Sequence, residues 1–153
     1  MSGLVLAVMG AVIAACAGLG SVVGVQLSGS AAAGVVAEKP DLFGKMLVLQ
    51  ALPGTQGIYG FLTAVLILNQ IGLLGGNPVD LTVMQGWSYI GAGLPIGIIG
   101  IASGIYQGKA AVSSILMTGK DETAFAKGIT VTAMVETYAI LALLASILIL
   151  NSL

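Results

Sequence analysis

TAMVETYAILALLASILIL, residues 132 to 150, is apolar almost from end to end and carries a single carboxylate, Glu136. At 1.5 Å of rise per residue, a helix of this length crosses the ~30 Å hydrocarbon layer of a bilayer. The run therefore reads as a transmembrane helix with an acid inside it. With its flanks it covers about residues 128 to 152, and three more apolar stretches precede it, at about 3 to 37, 44 to 74 and 82 to 117. Each is longer than the ~20 residues a crossing needs, and the polar breaks between them are short enough only for turns. Strands of a membrane barrel would alternate apolar and polar residues in runs of about ten; no such alternation occurs. The expected fold is all-α: a single membrane domain over residues 1–153 with four transmembrane helices.

Composition agrees. With 58% hydrophobic and 7% charged residues, the chain is built for lipid rather than water. Cys16 is the only cysteine and there is no histidine, which excludes an internal disulfide and a His/Cys zinc cluster. A net charge of −1 without a basic tract argues against nucleic acid as a partner. No GxxxxGK[ST] loop is present, so no catalytic site for nucleotide hydrolysis is expected in this chain. The opening MSGLVLAVMGAVIAACAGLG lacks a basic leader, and its glycine-rich pattern runs on past any plausible cleavage site, so it is expected to stay as membrane helix.

The lysines orient the helices. Lys39 and Lys45 lie in the first turn (AEKPDLFGK) and Lys120 and Lys127 in the third (GKDETAFAK), whereas the middle turn (GGNPVDL) holds only Asp80. The positive-inside rule then puts turns one and three in the cytoplasm and both termini outside.

The chain also repeats itself. FLTAVLILN (Phe61 to Asn69) lies over LLASILILN (Leu143 to Asn151) at an offset of 82 residues, and Phe43 and Lys45 lie over Phe125 and Lys127. Two tandem hairpins are expected, residues 1–75 and 82–153, as parallel copies about an axis along the membrane normal. In this frame Glu136 stands over Gly54, so one ionisable group serves two hairpins. A charge at mid-membrane costs ~2.5–3.5 kcal/mol on insertion scales, and such groups mark ion or proton pathways. An interhelical polar contact is the plainer alternative.

Depth, counted from the cytoplasmic turns, brings other polar groups to the same level. Glu136, Gln56 and Gln107 lie roughly 14, 17 and 20 Å deep at 1.5 Å per residue. In LPGTQGIYG, Leu52, Thr55 and Gln56 share one face through their i, i+3, i+4 spacing. The Thr55 hydroxyl, the Gln56 and Gln107 amides and the Glu136 carboxylate form a set of hard oxygen ligands suited to sodium rather than to zinc or copper. Ordinary interhelical hydrogen bonding accounts for either glutamine taken alone. Pro53 removes a backbone donor, leaves the Leu49 carbonyl without its usual partner and is expected to bend helix two near the site. Tyr59, one turn beyond Gln56, is placed to hydrogen-bond Glu136, although packing alone would also explain it. Lys109 is expected on a different face of helix three from Gln107, as a snorkelling lysine.

Small residues recur at steps of four. Helix three carries Gly93 and Gly97, then Gly100, Gly104 and Gly108, and helix one carries Gly20 and Gly24. Such faces let backbones approach closely. Helices one and three are thus expected to pack tightly, as the inner wall of a ring with helices two and four outside, or else in a compact four-helix monomer.

LPGTQGIYGF (52–61), SGIYQGKAA (103–111) and MVETYAIL (134–141), set in a doubled hairpin with one carboxylate, closely resemble the membrane rotor (proteolipid, K or c) subunit of vacuolar-type rotary ATPases, over essentially the whole chain. The resemblance is to the bacterial sodium-transporting form in particular. It implies that the Leu52 carbonyl, Thr55, Gln56, Gln107 and Glu136 ligate Na+ and that Tyr59 steadies the Glu136 carboxylate. It also implies a ring of identical subunits in the cell membrane, turning against a stator subunit that bears an arginine. Cytoplasmic turns one and three would meet the central-stalk subunits. The same ring carrying H+ is one alternative. A small four-helix proton-coupled exporter is another, disfavoured because it would place the acid in the first helix beside an aromatic-rich pocket.

Overall fold

The computed structural model describes residues 2–153. These residues form four helical spans, Gly3–Glu38, Pro40–Gln70, Val83–Lys120 and Glu122–Asn151, each long and apolar enough to cross a membrane, with no strand among them. We call them helices one to four. Helix one departs from regular geometry only at Cys16, whose N–H is shared between the Val12 and Ile13 carbonyls at 3.1 Å each.

Local chemistry sets the boundaries. Helix three opens on a capping box: Gln85 N donates to Thr82 Oγ1 at 3.2 Å and Thr82 N donates to Gln85 Oε1 at 2.9 Å, satisfying two otherwise orphaned donors. The apolar run of helix two continues to Leu74, yet the helix stops at Gln70. Gly72 adopts φ +73°, Gly72 N donates to Asn69 O at 3.0 Å and Leu73 N to Leu68 O at 3.1 Å. This is a Schellman stop, and the left-handed residue it requires is supplied by glycine. The third turn is far tighter, a single extended residue, Asp121, before the 3-10 turn Glu122–Ala124 that leads into helix four.

Helices one and three run parallel and in close contact along their glycines. A Cβ added at Gly10, Gly20 or Gly24 would overlap the helix three backbone at Tyr89, Ile101 and Gly104 respectively, and one added at Gly93, Gly104 or Gly108 would overlap helix one at Gly10, Gly20 and Gly24. The parallel order is what two tandem hairpins related along the membrane normal require. Helices two and four lie against this pair and leave large apolar side chains exposed, among them Ile58 and Phe61 on helix two and Tyr138, Leu141 and Leu148 on helix four. At the lysine-bearing end Lys39 Nζ donates to Gly119 O at 2.7 Å and Lys45 Nζ pairs with Glu122 Oε2 at 3.0 Å, tying the two hairpins together. At the other end Gln70 Nε2 donates to Leu150 O at 3.3 Å.

Candidate functional site

Helix two is interrupted where the sequence places Pro53. Regular α-helix covers Phe43–Ala51 and Thr55–Gln70, and the residues between, Leu52–Gly54, form a 3-10 turn. Proline offers no N–H to the ladder, so the backbone tightens there. The Leu52 carbonyl accepts both the Thr55 N–H and the Thr55 hydroxyl, the latter at 3.0 Å. Gly57 N donates sideways to Ser21 Oγ of helix one at 2.8 Å. A hydroxyl from the neighbouring helix thus holds the stretch of backbone just past the break. Helix three repeats the device: Pro95 lies inside it, and the next amide, Ile96 N, donates to the buried Ser146 Oγ of helix four at 3.2 Å.

One turn past the break the polar side chains converge. Gln56 and Gln107 are fully buried, and Glu136 and Tyr59 are half-buried. Tyr59 Oη donates to Glu136 Oε1 at 2.5 Å, and Gln107 Nε2 donates to Glu136 Oε2 at 3.4 Å and to Thr132 O at 3.3 Å. Gln56 Nε2 donates to Gln107 Oε1 and, at 3.1 Å, to Ser103 Oγ, which itself donates to Val135 O at 3.2 Å. Both carboxylate oxygens thus accept from protein donors, and donation runs in one direction, Gln56 to Gln107 to Glu136. Gln56 Oε1 is left buried with no hydrogen-bond partner. A buried amide oxygen without a donor costs ~1–3 kcal/mol, which a cation beside it would offset.

Of the residues expected at the site, Gln56, Tyr59, Gln107 and Glu136 meet in one network drawn from helices two, three and four of a single chain. Leu52 and Thr55 bond to each other at the break, and no hydrogen bond among the described residues joins them to Glu136. Three contributors escaped the sequence reading: Ser103 and the Thr132 and Val135 carbonyls. Ser103 precedes Gln107 by four residues and so shares its helix face; that spacing was the available signal. Lys109 is exposed on another face of helix three, its Nζ 5.2 Å from the Tyr106 ring centroid, a cation–π distance. Among the described residues the one ion pair is Lys45–Glu122, so no lysine neutralises Glu136.

The family model for the C subunit of ATP synthase matches residues 9–67 and 90–149, one segment in each hairpin. The chain belongs to this family. It is 45% identical to the V-type sodium ATPase subunit K of Enterococcus hirae over 152 residues, 98% of this chain and 94% of that protein. It is 41% identical to the A-type ATP synthase subunit K of Methanocaldococcus jannaschii over 148 residues, which are 96% of this chain and 62% of that longer protein. The 16 kDa proteolipid of the V-type proton ATPase of Homo sapiens is 27% identical over 143 residues, 93% of this chain and 88% of that one. Within the family this is a V-type proteolipid rotor subunit: a multi-pass, all-α membrane protein of two tandem hairpins.

Proposed function

We propose that this rotor protein carries Na+ through the membrane sector of a V-type ATPase, bound at mid-membrane by Glu136. Gln56, Gln107, Thr55 and the Leu52 carbonyl complete the oxygen set, and Tyr59 holds the carboxylate. The observation that carries this reading is the donorless Gln56 Oε1, buried in the same network as the Glu136 carboxylate. A site for protons alone needs only a carboxyl in apolar surroundings; a spare amide oxygen has no role there, whereas a hard cation takes neutral oxygens together with a carboxylate. The sodium ATPase named among the relatives supports the same choice.

The mechanism follows from the cost of charge in lipid. Identical subunits form a ring in the cell membrane, and a bound cation neutralises Glu136 before rotation carries it past hydrocarbon, where a bare carboxylate would be penalised. At the stator an arginine offsets the emptied carboxylate while the ion is exchanged. Turns one and three face the cytoplasm and meet the central stalk, which transmits torque from the ATP-hydrolysing head. Both termini face outward.

The test is carbodiimide labelling of Glu136 in the detergent-solubilised ring at neutral pH. Slowing by millimolar sodium supports the sodium site. Labelling that follows pH but ignores sodium assigns the ring to protons instead, the activity named for several relatives.

A further inference from the structure

Ser103 lies at the hub of the network without reaching the carboxylate. It is buried, 4% exposed, on the face of helix three that meets helices two and four. A serine hydroxyl has one hydrogen to give. That hydrogen goes to the Val135 carbonyl of helix four at 3.2 Å, so toward Gln56 the oxygen can only accept, and it does so at 3.1 Å. The second neighbour of the Gln56 amide is Gln107 Oε1, also an acceptor, whose own amide is committed to Thr132 O and Glu136 Oε2. Gln56 Nε2 thus faces two acceptors, which leaves Oε1 turned away from both and without a donor. A flip of the amide would set oxygen against oxygen at Gln107, and at Ser103 it would require the hydroxyl hydrogen to turn from the Val135 carbonyl to Gln56, leaving that carbonyl without it.

We infer that Ser103 is a positioning residue for ion selection: by fixing the orientation of the Gln56 amide, it presents Oε1 rather than the NH2 group to the transported cation. An amide turned the other way would point its positive end at the ion and leave a carboxyl able to bind a proton but poorly able to bind a metal. The role assigned to Ser103 is positioning rather than ligation: its hydrogen goes to the Val135 carbonyl and its oxygen accepts from the Gln56 amide. The inference rests on the sodium reading given above.

The experiment measures carbodiimide labelling of Glu136 in solubilised rings against sodium concentration at fixed pH, and against pH without sodium, for the wild type, Ser103→Ala, Ser103→Thr and Ser28→Ala. Ser28 is a buried serine that donates to its own helix at Gly24 O, 2.9 Å away, and serves as the packing control. Ser103→Ala is expected to raise the sodium concentration for half-protection by about three- to tenfold, the size of one neutral hydrogen bond, and to leave the sodium-free pH profile in place. Ser103→Thr, which keeps the hydroxyl, is expected to return toward wild type, and Ser28→Ala to match it. Wild-type labelling indifferent to sodium would end the sodium reading, and this inference with it. Wild-type protection with an unchanged Ser103→Ala midpoint would overturn the role of Ser103 alone. A pH profile displaced together with the sodium midpoint would show general damage to the site and would equally overturn it.

Discussion

Tyr59 and Glu136 lie 77 positions apart in the sequence, yet the phenol of one donates to Oε1 of the other at 2.5 Å, joining helix two to helix four across the hairpin boundary. Hydrogen bonds to a charged acceptor contribute ~1.5–3 kcal/mol, and this one is half-buried. Tyr59→Phe is therefore expected to weaken sodium protection of Glu136 about tenfold or more while the ring stays assembled. The concentration of sodium that halves the labelling rate reads this directly, and an unshifted midpoint would remove Tyr59 from the site.

Gln107 both donates to Glu136 and accepts from Gln56, so its loss unties two bonds at once. Gln107→Leu should reduce sodium protection more than Thr55→Val, which removes one oxygen of the set and only a local bond to the Leu52 carbonyl of the same helix. Both rings should still assemble. Equal protection in both variants and the wild type would mean that the oxygen set is wrongly drawn.

Gly104 abuts the Gly20 and Ser21 backbone, where a Cβ has no room, whereas around Gly44 nothing lies within 4 Å. Gly104→Ala is expected to destabilise the fold by about 1–3 kcal/mol through overpacking. Gly44→Ala should stabilise it by up to about 1 kcal/mol through helix propensity. Thermal melting of the two variants followed by circular dichroism checks the opposite signs.

Lys45 and Glu122 form a 3.0 Å ion pair, but their side chains are 36% and 56% exposed. Such pairs contribute ~0–1 kcal/mol and are screened by salt. Glu122→Gln should move the melting temperature little at low ionic strength and not at all in molar salt.

Asp121 closes the third turn by accepting from Thr123 N at 2.9 Å and Thr123 Oγ1 at 2.7 Å, and these bonds hold its carboxyl below the usual aspartate range. Because the folded value is depressed, the stabilisation is present above the unfolded value and is lost as pH falls through the folded one. Asp121→Ala should thus lower the melting temperature at neutral pH, and the gap from wild type should close on acidification. A gap that widens in acid would contradict the assignment.

Much of this was legible in the chain because lipid imposes long uninterrupted apolar runs, and because a lone carboxylate stands out against them. Depth counting brought Gln56, Gln107 and Glu136 together correctly, since helix rise is nearly constant. The early end of helix two was not legible: hydropathy continues through Leu73 and Leu74, and only the left-handed conformation of Gly72 stops the helix. Ser103 was hidden for a different reason. Among the glycines of helix three a serine reads as one more small packing residue, and its role depends on which way its single hydrogen points. The pairing of Thr55 with Leu52 depends likewise on the 3-10 geometry beside Pro53, which residue type alone does not specify.

Gly54 occupies, in the first hairpin, the place that Glu136 holds in the second. On the proposed reading, one carboxylate per four helices halves the number of binding stations around a rotor of given circumference. Fewer ions would then be coupled to each full turn of the ring, and the glycine standing where a second acid could be would set that ratio.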